Sequence, residues 1–135
     1  MTTPTASADT AADESDSPTL GELLLRSSVG LRERVAVQAL VEEQELLARD
    51  NLRTALVTKR DGAMTCRWEA LAKRLHTLGF DDSEREFLGL VLSIVGARRS
   101  SLAAVEYLGE HRLQIVLQAM IRLAGTDWIA IGMRL

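Results

Sequence analysis

Hydrophobic positions along this chain recur mainly at spacings of three and four, the period of helices packed on one side. The first run opens sharply. Thr19 stands three residues before Glu22, the spacing of a capping box, and Leu20, Leu23 and Leu24 follow. That predicts a short helix ending between Ser27 and Gly30. Residues 31–60 then contain no proline or glycine, and Val37, Leu40, Val41, Leu47 and Ala48 share one arc of a helical wheel with Gln44 inside it. Past Asp50 and Asn51 the arc drifts. One unbroken helix of about 30 residues would span roughly 45 Å, more than a small body covers. The pattern therefore predicts either a break or a length of helix left for a partner.

Asp61 and Gly62 read as a turn. Met64, Trp68, Leu71, Ala72, Leu75 and Leu78 predict a helix over 64–78. Gly79 closes it in the left-handed conformation, and Phe80 folds back on Leu75. Asp81 with Glu84, or Ser83 with Glu86, caps a helix over 83–95 that is apolar nearly all round and so belongs at the centre of the fold. Gly89 in its middle costs about 1 kcal/mol of helix propensity, which close approach of another helix would explain. The last helical region, 101–124, presents Leu102, Val105, Gly109, Leu113, Val116, Met120 and Leu123 as its buried stripe. Arg112 projects near that stripe and is expected to pair with Glu106 or Glu110, or to snorkel outward, because an unpaired buried charge is costly. Trp128, Ile129, Ile131, Met133 and Leu135 make the closing residues too apolar to be left in water.

Composition narrows the fold class. At 135 residues, with 47% hydrophobic residues but only 4% aromatic ones, the chain suits one domain whose core is filled by aliphatic side chains. Both prolines fall in the first 18 residues and there are 9 glycines, too few turn formers for a sandwich or barrel. The expectation is an all-α fold, a compact bundle of four to six helices over residues 19–135. Residues 1–18 hold Asp9, Asp13, Glu14 and Asp16, no Lys or Arg, and nothing large to bury beyond the initiating Met. They read as a disordered acidic tail, either a solubilising extension or an acidic decoy. The remaining 16 basic and 15 acidic residues nearly balance, so no strong global field draws nucleic acid or an anionic membrane.

Little catalytic chemistry is spelled out. There is no phosphate-cradling glycine loop, no G-x-S-x-G and no H-E-x-x-H. Cys66, His76 and His111 match no zinc spacing, and Cys66 beside Trp68 reads as a small buried filler. Glu106 and Glu110 share a helix face, but His111 lies at the wrong offset for a di-iron motif. A single cysteine, with neither a signal peptide nor a membrane-length apolar run, suggests a soluble cytoplasmic protein. No enzyme activity, cofactor or metal is expected.

Two stretches invite functional readings. Arg98, Arg99, Ser100 and Ser101 resemble a basophilic phosphorylation site, yet Gly96 ending one helix and a serine capping the next explain them equally well. Residues 98–124 admit a helix-turn-helix, with Gly109 as the turn and Arg98, Arg99, His111, Arg112 and Gln114 as DNA contacts. Glu110, directly after that turn, opposes phosphate, so a single helix with a packing glycine is the simpler reading. The expected function is a non-catalytic helical protein–protein interaction module, a small subunit or adaptor that associates with itself or another protein. Its partner-binding residues would be Trp128, Ile129, Ile131 and Met133. A DNA-binding regulator is the alternative.

Overall fold

The computed structural model describes residues 17–126 and 129–132. The expected acidic tail lies outside these residues except for its last two, as do Trp128 and Met133. The described chain is mostly helical: α1 (Leu20–Ser27), α2 (Gly30–Glu43), α3 (Asp50–Leu56), β1 (Val57–Arg60), β2 (Ala63–Cys66), α4 (Trp68–Arg74), α5 (Asp82–Val95), a 3-10 helix (Leu102–Tyr107) and α6 (Gly109–Ala124).

Where local capping chemistry is strong, the elements start and stop as the sequence indicates. The Thr19 hydroxyl accepts from the Glu22 amide at 3.2 Å and opens α1. Asp81 and Glu84 form a complete capping box, each carboxylate accepting from the other residue's backbone N–H, at 2.8 and 2.9 Å. Ser101 accepts from the Ala103 amide and opens the 3-10 helix. Gly96 closes α5 in the left-handed conformation.

The all-α expectation needs correction over residues 57–66, which form an antiparallel hairpin pairing Val57 with Cys66 and Arg60 with Ala63. Asp61 and Gly62 both have positive φ, 51° and 82°, the pair a two-residue type I′ connection demands. The expected helix 64–78 consequently spans only Trp68–Arg74, and Gly79, although its φ is 82°, stands five residues past that end rather than closing it. Residues 31–60 are not one helix either. Gln44 turns left-handed with φ 72°, and the Glu43 carboxylate accepts the Leu46 amide at 2.8 Å, so the chain leaves the helical path before α3.

The region 101–124 also divides. Gly109 has φ 75° and nothing within 4 Å of where a Cβ would sit, so it turns the chain rather than admitting a neighbour. At Gly89 close approach does occur, but from a loop: an added Cβ would stand 3.2 Å from the Ser100 hydroxyl.

α5 lies at the centre, with Phe87, Leu88 and Leu92 fully enclosed, and packs against α2, α4, α6 and the 3-10 helix. α2 and α6 run antiparallel across it. Glu43 meets Arg112 at one end, while Leu31 and Val35 share a groove with Arg122 at the other. α1 packs on α2 and on β2, to which it is fastened by the Ser27 hydroxyl donating to the Met64 carbonyl.

Candidate interaction surface

α6 is apolar on two faces, and the body covers one of them. At about 100° per residue, Ile115, Val116 and Ala119 centre the buried face. Leu117, Met120, Ile121 and Ala124 lie roughly 140° further round. The sequence expectation placed Met120 in the buried stripe; it is instead 52% exposed. The error is one of phase, since the stripe was counted through Leu102 and Val105. Those residues lie in a 3-10 helix, which turns 120° per residue rather than 100°.

Among the described residues, the segment after α6 is what joins the outer face to line a groove. Ile129 and Ile131 join Leu117, Met120, Ile121 and Ala124 around a groove of about 310 Å³ whose lining is otherwise closed by Thr126. Ile129 remains 59% exposed. Of the four expected partner-binding residues, the structure therefore sets Ile129 and Ile131 on one apolar surface, and Trp128 and Met133 lie outside the described residues. Sequence reasoning missed Leu117, Met120, Ile121 and Ala124 as members of that surface, although their i, i+3, i+4, i+7 spacing was a legible signal. Because α2 and α6 are antiparallel, Val29, at 83% exposure, and Leu31 emerge at the same end of the molecule.

The expected DNA contacts are distributed differently. Arg112 pairs with neither Glu106 nor Glu110. Its guanidinium donates to Glu43 Oε2 through Nε at 3.1 Å and Nη2 at 2.8 Å, to Ser83 Oγ at 2.8 Å and to Glu45 Oε2 at 3.3 Å. The Glu43 side chain is 0% exposed, so this Arg is committed to the interior. Both acids lie far away in sequence at the end of α2, which is why spacing along α6 gave no hint of them. His111 and Gln114 line a polar groove of about 340 Å³ with Glu42 and Arg122, which are themselves ion-paired at 2.8 Å. Arg98 instead donates toward His76 Nε2 at 3.2 Å, and Arg99 is exposed in the loop before the 3-10 helix.

Cys66, His76 and His111 are likewise apart: Cys66 is on β2, His76 follows α4, and His111 lies in the α2–α6 groove. Among the described residues no three His, Cys, Asp or Glu side chains gather as a metal site would need. Burial, reinforced by the Glu33 carboxylate, pushes the Cys66 thiol up to about 12. Glu33 is held in place by accepting from the Val29 amide and from the Trp68 indole, each at 2.7 Å.

A thiol so placed should resist a disulfide reagent at pH 8 in the native chain and react promptly once urea unfolds it. Fast native labelling would show that the pocket opens. The folded state keeps this proton past the pH where the unfolded chain releases it. Stability contributed by the group is thus whole below about pH 9 and is lost as pH rises toward about 12.

No helix among the described residues is long and apolar enough to cross a membrane. No family model, curated protein or solved structure matches the chain.

Proposed function

We propose that this chain is a non-catalytic helical interaction module that self-associates through the outer face of α6 together with Ile129 and Ile131. The observation that carries the reading is the second apolar face of α6, which the chain's own body leaves largely uncovered. A surface helix of a monomer needs one apolar stripe; a second, opposed stripe is area that water penalises until something covers it.

The occupant we favour is a second copy. The groove is lined by aliphatic side chains, methionine and one threonine, and among the described residues no charged one enters its lining. Apposing these described lining residues to themselves across a two-fold axis brings no like charges of theirs together, as an isologous interface requires. Two α6 helices would then pack antiparallel, with Met120 near the centre of the contact. The helix-turn-helix alternative over residues 98–124 has less behind it, because Arg112, its central cation, is turned inward to Glu43.

Sedimentation or light scattering of the full chain tests this. At about 100 µM, far above a micromolar dissociation constant, the mass should be twice the chain's 14.8 kDa. Met120→Glu or Leu117→Glu should yield a monomer with an unchanged far-UV spectrum, since both side chains are already exposed. A monomeric wild type, or a Met120→Glu dimer, would reject the surface.

A further inference from the structure

A second groove, remote from α6, lies between α1 and the β-hairpin. It encloses about 410 Å³ over a floor of Leu23, Ala63 and Met64, and two cations, Arg26 and Lys59, border it. Its geometry is built rather than incidental. The type I′ turn sets Lys59 directly opposite Met64, so both side chains share one face of the hairpin. The Ser27 hydroxyl, donating to the Met64 carbonyl, ties that hairpin to the turn of α1 that carries Arg26. Both cations are exposed, and neither enters an ion pair among the described residues; the acids beside them in sequence, Glu22 and Asp61, do not engage them there.

We propose that the chain's own acidic segment, residues 9–16, occupies this groove. Charge complementarity is the first argument. The segment carries Asp9, Asp13, Glu14 and Asp16 without a single cation, whereas the rest of the chain is nearly balanced. Reach is the second. Arg26 lies six residues into α1 from Leu20, about 9 Å along the helix axis. Asp16 precedes Leu20 by four residues, up to about 13 Å of extended chain, and Asp9 by eleven, up to about 37 Å. The segment can therefore double back over the groove from its point of attachment.

Tethering is the third argument. Exposed ion pairs are individually weak, but a short tether holds its ligand at an effective concentration on the order of 1 mM. A contact with a dissociation constant near 1 mM is then occupied about half the time. No untethered acidic segment gains that advantage at ordinary cellular concentration.

Paramagnetic relaxation in the full chain tests the contact. A nitroxide is placed at Ala11→Cys, between Asp9 and Asp13; the native Cys66 is protected from labelling by the buried thiol described above. Amide signals of residues 23–27 and 59–64 should lose most of their intensity at low salt, because a contact occupied about half the time still carries about half of a steeply distance-dependent relaxation rate. They should recover in about 0.5 M salt, where exposed charges are screened. They should also recover in the full chain carrying Asp9→Asn, Asp13→Asn, Glu14→Gln and Asp16→Asn. Unbroadened signals at low salt would overturn the proposal. So would broadening that survives both salt and neutralisation, or broadening centred on α6.

Discussion

Replacing Arg112 with alanine should lower the unfolding free energy by about 3–5 kcal/mol, the cost of leaving one member of a buried ion pair without its partner. Glu43 is the member left behind. Its side chain has no solvent exposure, while Arg112 keeps only 14% of its own, so little water can take over the role of the guanidinium. The same substitution strips Ser83 of a donor at 2.8 Å and leaves Glu45 unpaired at the surface. For a domain of this size that loss should lower the melting temperature by about 10–20 °C. A chemical-denaturation midpoint within about 0.5 kcal/mol of wild type would mean that Glu43 finds water on its own. Lysine should rescue poorly, since a single ammonium cannot address Glu43 and Ser83 as a planar five-donor fork does.

The pair need not be net stabilising for this to hold. Desolvating two charges costs several kcal/mol, which the attraction between them only roughly offsets. Substituting both partners, Glu43→Gln with Arg112→Met, should therefore recover more than half of the single-variant loss. The glutamine is chosen because its carbonyl can still accept the Leu46 amide that Glu43 Oε1 now holds at 2.8 Å. What the pair fixes is geometry. It locks the end of α2, where Gln44 leaves the helix, against the start of α5 through Ser83 and against the first turn of α6. That lock positions α6, and with it the outer apolar face proposed for self-association.

The same network shows where sequence reasoning runs out. Capping boxes, left-handed glycines and an all-round apolar helix are local signals, and Asp81 with Glu84, Gly96 and α5 follow them. The break at Gln44 has no such signal, because nothing in its neighbours requires a non-glycine residue to adopt φ 72°; contacts from sixty-nine residues away help fix Glu43 there. The hairpin was legible but misread. Asp61-Gly62, flanked by β-branched Val57, Thr58 and Thr65, is a hairpin signal, and the surrounding helical period hid it. At the candidate surface the apolar closing residues were visible in sequence. Leu117 and Met120 were not assigned to it, because a 3-10 helix ahead of α6 shifted the phase of the count.

Phe87→Ala tests the core as directly as Arg112 tests the lock. Among the described residues Phe87 is the largest fully enclosed side chain, and it sits in α5, which packs against α2, α4 and α6. Its truncation should cost about 3–5 kcal/mol, the transfer free energy of the ring plus the cavity it leaves. Phe87→Leu, which keeps most of the volume, should cost about 1 kcal/mol. The informative control is Leu102→Ala. The sequence period places Leu102 in the same buried set, whereas the structure leaves it 76% exposed on the 3-10 helix, so its truncation should change stability by less than about 0.5 kcal/mol. Urea midpoints of the two alanine variants would settle the arrangement. A costly Leu102→Ala would mean that residues 101–124 run as one helix after all, with the phase the sequence suggests. In that case Met120 would turn inward, and the outer face of α6 would lose the residue at its centre.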